Sequence, residues 1–227
     1  VAQQPGALNV GMNDLARSQD LDSALQVAHR IGMPGQNLVI GDKNGRIAWR
    51  LTTQIPKRVG DCDKTAPVDP KDGCRWDGWL PGELNPVLVD PPSHRLWTAN
   101  GRVVEGDWLE LAGNGGYALG ARAMQIRDGL FAKNRFTEKD LLNIQTDGRS
   151  LFLKRWWSLM NQRADGAAPG SALRQLRDAD TSWEPSASIN SVSYRIVRAW
   201  RLEVSNRIEE MLLAPAIDKL GVKSSKP

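Results

Sequence analysis

Extended-strand patterning lies in the first part of this chain and helical patterning in the last, with a stretch dense in Pro and Gly between them. That order restricts the fold more than any other feature. Leu38 to Ile40 and Arg46 to Leu51 are short β-prone runs on either side of Gly41-Asp42-Lys43-Asn44-Gly45, which predicts a hairpin with Asn-Gly in its turn. Upstream, Asp20-Leu21-Asp22 opens a helix whose apolar positions Leu21, Ala24, Leu25, Ala28 and Ile31 fall on one face. Gly32 and Pro34 end it. Residues 56–95 are expected to be mainly irregular. Beyond them, Leu119, Ala123, Ile126 and Leu130 form a helical stripe, and Thr137-Glu138-Lys139-Asp140 reads as an N-cap with a carboxylate at the third helical position. Val192, Ile196, Ala199, Trp200, Val204, Ile208, Met211 and Leu212 predict a long amphipathic helix that begins after Pro185-Ser186 and stops at Pro215. The Asp/Gly/Ala-rich stretch 161–171 is expected to be a loop and not a domain boundary, because the Trp-bearing segments on both sides need partners to bury against. The reading is a single structural unit over residues 1–227, of α+β class.

Composition narrows the function classes. With 41% hydrophobic and 25% charged residues the usage is that of an ordinary globular protein, and no run approaches the roughly 18 apolar residues of a membrane span. The net charge of +4 is spread among acids, with Lys57 and Arg58 near Asp61 and Asp63 and Arg207 near Glu209 and Glu210. There is no basic tract, so a nucleic-acid partner is not expected. The chain opens on Val1, with neither an initiator Met nor a signal peptide, as expected of a processed or excised segment.

Cys62 and Cys74 have eleven residues between them. A disulfide would close a short loop and contribute on the order of 2–3 kcal/mol by loop entropy; two unpaired thiols are the alternative. His29 and His94 lie elsewhere without ligand spacing, so neither a metal nor another cofactor is expected.

Two positions 22 apart carry the chemistry: Asn100, in Trp97-Thr98-Ala99-Asn100-Gly101-Arg102, and Arg122, in Gly120-Ala121-Arg122-Ala123-Met124-Gln125-Ile126-Arg127. An Asn amide presents N–H donors without charge, and a guanidinium beside it can hold its orientation. That combination suits stabilisation of an oxyanion. Taken alone, Asn100-Gly101 reads first as a turn dipeptide and Arg122 as a surface helix residue. Trp76, Trp79 and Trp97 precede Asn100, either as anchors for the irregular segment or as the lining of an acyl pocket.

These motifs resemble the β-chain of the penicillin acylase (penicillin amidase) family, which includes acyl-homoserine-lactone acylases and belongs to the N-terminal-nucleophile hydrolases. The resemblance runs in order through Gly32-Met33-Pro34-Gly35-Gln36-Asn37 and the following hairpin to Trp49, then Ile55-Pro56-Lys57-Arg58, Trp76-Asp77-Gly78-Trp79, Glu83-Leu84-Asn85-Pro86 and Thr98-Ala99-Asn100. It implies part of a four-layer αββα hydrolase that cleaves linear amides through an acyl-enzyme, with the rest of the acylase as partner and an acylated small molecule as substrate.

The resemblance assigns Asn100 as the side-chain oxyanion donor and Arg122 as the residue that orients it and adds positive potential. It also implies a periplasmic or secreted enzyme, in which a Cys62–Cys74 disulfide would persist. Two departures stand out. The family nucleophile, usually Ser, opens its β-chain, whereas this chain begins with Val1; and Gly101 stands where relatives often carry a second Asn, which is expected to loosen the backbone. Some members bind calcium through an Asp eleven residues after the Asn; here that position is Leu111, and the metal is not carried over. The reading is therefore an internal acylase segment that supplies the oxyanion Asn but no nucleophile. The competing reading is a non-catalytic binding module on the same scaffold. An in-frame upstream coding segment with a Gly-Ser processing junction distinguishes the first from the second.

Overall fold

A computed structural model describes residues 3–61, 68–69, 71, 73–113, 115–180 and 182–221. The fold is α+β, with small sheets early and helices late, and the chain clusters into two compact units, Val1–Phe136 and Thr137–Pro227.

In the first unit, α1 (Leu21–Ala28) starts at a reciprocal cap: Ser23 N–H donates to Asp20 Oδ1 at 2.8 Å while Asp20 N–H donates to Ser23 Oγ at 3.1 Å. Leu21, Ala24, Ala28 and Ile31 are buried as the stripe predicts, but the helix ends before Ile31. The amides of Arg30 and Ile31 reach back three residues, to Val27 and Ala28, tightening the last turn out of the α-helix.

Strands β1 (Gln36–Gly41) and β2 (Ile47–Thr52) form the expected hairpin. Its tip is built by Asp42, whose carboxylate accepts from Asn44 N–H at 2.8 Å and Arg46 N–H at 3.1 Å, with Gly45 at φ +82°. Residues 56–95 are more regular than expected. They contain β3 (Pro56–Val59) paired with β4 (Arg75–Trp79), and β5 (Val87–Val89), which adds antiparallel to β2 and gives the order β1-β2-β5. The alternation was masked because Pro56 opens its strand, where no N–H is needed, and a register shift follows between Pro56 and Arg58. Asn85 lies buried and structural, its Nδ2 donating to the Leu51 and Thr53 carbonyls at 3.1 and 2.7 Å. Arg50 is also buried; its guanidinium donates to the Gly82 carbonyl, and burial pulls its pKa below the usual arginine value. Two further helices follow, α2 (Gly106–Ala112) and α3 (Ala121–Phe131). Contrary to the stripe reading, α3 has no buried residue, and Leu119 precedes it, 61% exposed.

The second unit is helical: α4 (Glu138–Gln145), α5 (Leu151–Asp165), α6 (Ala172–Ala179) and α7 (Val192–Leu220). Thr137 and Asp140 form the expected capping box on α4. Leu153, Met160 and Val197 form the core, flanked by Trp156 packed edge-on against Trp200 at 5.7 Å. Helix α5 runs past Asn161, so the loop expected over 161–171 shortens to residues 166–171. Helix α7 continues through Pro215 rather than stopping there. The bond lost at Pro215 would have used the Met211 carbonyl, and Met211 is 77% exposed, so water can satisfy the freed oxygen.

Asp180 is buried in this unit and accepts from Ser193 Oγ at 3.2 Å. Burial raises its carboxyl above the ordinary 3.8, against the lowering effect of the Ser193 bond. A raised folded-state pKa contributes stability below the unfolded value, and that stability is lost as pH climbs through the folded one. Asp180→Asn, which keeps an acceptor for Ser193, should therefore raise the melting temperature at pH 7 relative to wild type and leave the two similar near pH 3. Thermal melts at both pH values check this; a lower melting temperature for the variant at pH 7 would show the buried charge to be favourable.

Candidate active site

The Asn100 segment and the start of α3 are brought together by backbone. Gly101 pairs with Ala118 in a parallel bridge, and Ala118 N–H donates to the Asn100 carbonyl at 2.9 Å. Gly101 is buried, and a Cβ there would lie 3.1 Å from Gly120 Cα. Rather than loosening the backbone as expected from the sequence, this glycine permits a close approach that seats Gly120, the residue before α3, against the Asn100 turn. Arg122 then falls in the first turn of α3, within reach of Asn100.

The side chains meet: Arg122 Nη2 donates to Asn100 Oδ1 at 2.6 Å. A guanidinium has only donors, so the amide atom facing it is the oxygen. That orientation leaves Nδ2, the donor end, without a hydrogen-bond partner among the described residues. Both side chains are exposed. Asn100 lines a cavity of about 400 Å³ whose wall mixes polar groups from Asn37, Thr53 and Tyr117 with apolar ones from Leu51, Ile55 and Val104. The arrangement places an uncharged amide, its oxygen engaged by Arg122, at the wall of a space large enough for a small molecule.

None of Trp76, Trp79 and Trp97 lines the Asn100 cavity. Trp76 is half exposed, with the Arg58 guanidinium 5.3 Å over its ring. Trp79 donates its indole N–H to the Pro5 carbonyl at 2.8 Å, and Trp97 stands edge-on to Phe131 at 5.6 Å. A different tryptophan, given no individual role by the sequence, approaches the Asn100 segment through an asparagine likewise given none: Trp49 Nε1 donates to Asn37 Oδ1 at 2.8 Å, and Asn37 Nδ2 donates to the Ala99 carbonyl at 3.1 Å. The available signal was weak: Asn37 stands immediately before the β-prone run Leu38 to Ile40, and only the paired strand, Gln36–Gly41, includes it, where Asn is disfavoured unless its side chain is engaged.

No Ser/His/acid arrangement assembles among the described residues. Neither histidine hydrogen-bonds a hydroxyl; His29 faces Glu83 at 3.4 Å, and burial holds its imidazole below the ordinary value. No group of three or more His, Cys, Asp or Glu residues suited to a metal occurs among the described residues, and Glu105 faces Arg102 at 3.6 Å. The proposed Cys62–Cys74 pairing falls partly outside the described residues, at Cys62. No helix among them is long and apolar enough to cross a membrane.

The family model described as "Penicillin amidase" matches residues 1–225. Acyl-homoserine lactone acylase QuiP of Pseudomonas fluorescens is 26% identical over 224 residues, covering 93% of this chain and 26% of that protein. Penicillin acylase 2 proenzyme of a Pseudomonas species is 31% identical over 176 residues, covering 75% and 22% respectively. Among solved structures, the thermostable penicillin G acylase from Alcaligenes faecalis superposes with a TM-score of 0.60 at 16% identity, over 80% of this chain and 33% of that one, a likeness of fold. The chain spans about a quarter of the length of the curated relatives it matches.

Proposed function

The chain belongs to the penicillin amidase family, and from that membership we propose that it is a segment of a larger amidohydrolase, of the penicillin or acyl-homoserine-lactone acylase type. The observation that carries the reading is the Arg122–Asn100 contact, 2.6 Å long, with the amide donor directed away from the guanidinium at the wall of a cavity. In the complete enzyme an N-terminal Ser hydroxyl, supplied by chain outside this sequence, attacks the carbonyl of a linear amide while its own α-amine takes the proton. The carbon–nitrogen bond breaks, the amine leaves carrying a proton, and water then opens the acyl ester to release the acid. Asn100 Nδ2 donates to the oxyanion in both steps, together with a backbone N–H from the same outside portion. The segment by itself supplies no nucleophile and is inactive.

Exposed apolar surface in each unit supports a missing remainder. Val39, Leu88 and Val89 are exposed on the sheet of the first unit, and Met211, Leu212 and Leu220 on α7 of the second. The reading is tested in the complete enzyme by the turnover of acyl amides before and after removal of the Asn100 amide. Unchanged turnover withdraws the oxyanion role of Asn100, and absence of acyl-amide turnover in the wild-type enzyme withdraws the amidohydrolase reading.

A Cys62–Cys74 disulfide and a periplasmic location belong to the same proposal. Cys74 is not a free thiol. The intact mass of the non-reduced protein should be lower by two hydrogens than after reduction, and alkylation of both cysteines in the native, non-reduced chain would remove this part of the reading.

A further inference from the structure

The Asn100 turn is gripped at two successive carbonyls. Ala118 N–H holds the carbonyl of Asn100 itself at 2.9 Å, and Asn37 Nδ2 holds that of Ala99 at 3.1 Å. Asn37 is oriented by the same logic as Asn100. The indole N–H of Trp49 can only donate, so the Asn37 atom it meets, 2.8 Å away, is Oδ1, and the amide nitrogen is thereby turned to Ala99. The sheet register brings the two side chains within reach of each other. Asn37 pairs with Leu51 and Val39 with Trp49, so Asn37 and Trp49 are diagonal neighbours on one face of the β1–β2 ladder. Trp49 is buried and therefore a fixed donor. The hairpin, whose position is set by its own ladder, thus controls the backbone that carries the oxyanion donor.

We propose that Asn37 is a positioning residue for Asn100, acting through the Ala99 carbonyl, with Trp49 fixing the orientation of the Asn37 amide. This rests on the oxyanion reading of Asn100. Asn37 touches no reacting atom in the proposal; its effect is on where Asn100 Nδ2 stands when charge develops on the substrate oxygen, and sub-ångström placement matters there.

The test is a double-mutant cycle in the complete acylase, using Asn37→Asp and Asn100→Ala with an acyl amide substrate. Asn37→Asp keeps an acceptor for the Trp49 N–H, so the buried indole stays satisfied, but it replaces the donor to Ala99 with a carboxylate that repels the carbonyl. The single variant should lose about tenfold in kcat with KM within about twofold, and in the Asn100→Ala background the same change should cost nothing further, because there is no donor left to misplace. Trp49→Phe, which retains the ring and removes the steering N–H, should lower kcat in the same direction by a smaller factor, keeping the proposal testable if Asn37→Asp fails to fold. Wild-type kcat in a folded Asn37→Asp enzyme, a loss that multiplies undiminished with Asn100→Ala, or, where only the Trp variant folds, wild-type kcat for Trp49→Phe would overturn the proposal while leaving the oxyanion reading intact. Wild-type kcat in Asn100→Ala would remove both.

Discussion

Asn100→Ala in the complete enzyme is expected to lower kcat by about 10²–10³-fold while leaving KM nearly unchanged. The amide nitrogen is a donor kept in place before substrate arrives, since its oxygen is already engaged by Arg122 at 2.6 Å. Such a donor strengthens its interaction as the carbonyl oxygen gains charge, so its worth is concentrated in the transition state and hardly felt on binding. Removal of one donor of this kind corresponds to ~2.7–4 kcal/mol of transition-state stabilisation. The substitution leaves the fold-forming contacts in place: Ala118 N–H still finds the residue-100 carbonyl, and the close approach belongs to Gly101. Steady-state kinetics on a purified, melt-checked variant decide the matter. Retention of near wild-type kcat would return Asn100 to the role of a turn residue.

The parts of this structure that were legible in the sequence are those governed by short-range chemistry. The Asp20 cap, the Asp42-to-Gly45 hairpin tip and the Thr137 capping box each depend on a few adjacent residues with one favourable arrangement, and each formed where expected. The contact between Asn100 and Arg122 was legible only through resemblance, because no local rule brings residues 22 apart into a 2.6 Å contact. What does so is the Gly101–Ala118 bridge and the room left by the missing Cβ of Gly101, a tertiary requirement that reads in sequence as simple looseness. Strands β3 and β4 were hidden for the opposite reason: Pro56 and the register shift after it erase the two-residue period on which strand recognition depends. Pro215 marked a helix end by propensity, yet α7 passes through it where water can satisfy the freed carbonyl. Asn37 and Trp49 stood in the resembling motif without a role of their own, because their meaning lies in a register, and a register is fixed only after the strands pair.

Arg122 separates orientation from charge. With Arg122→Ala the Asn100 oxygen loses its obligatory donor, and the amide can rotate to offer either end to the cavity. When the oxygen faces the developing oxyanion the interaction turns repulsive, so kcat should fall by about 10²-fold through misplacement of a donor that is still present. Arg122→Lys retains the positive charge but exchanges a planar, rigid fork for a single ammonium on a flexible stem, and the Asn100–Arg122 contact is exposed, where water competes for a lone ammonium. The Lys variant is therefore expected to fall well below wild type and closer to Ala than to Arg. Measuring kcat for all three residues at two ionic strengths makes the distinction sharp: a purely electrostatic contribution at this exposed position weakens with salt, whereas loss of amide orientation does not recover with it. A Lys variant with wild-type kcat would assign Arg122 as a source of positive potential alone. If Ala also retained wild-type kcat, the Asn100 amide would have to be held by the backbone grip at Ala99 and Asn100, and the guanidinium would be a surface residue that happens to lie beside it.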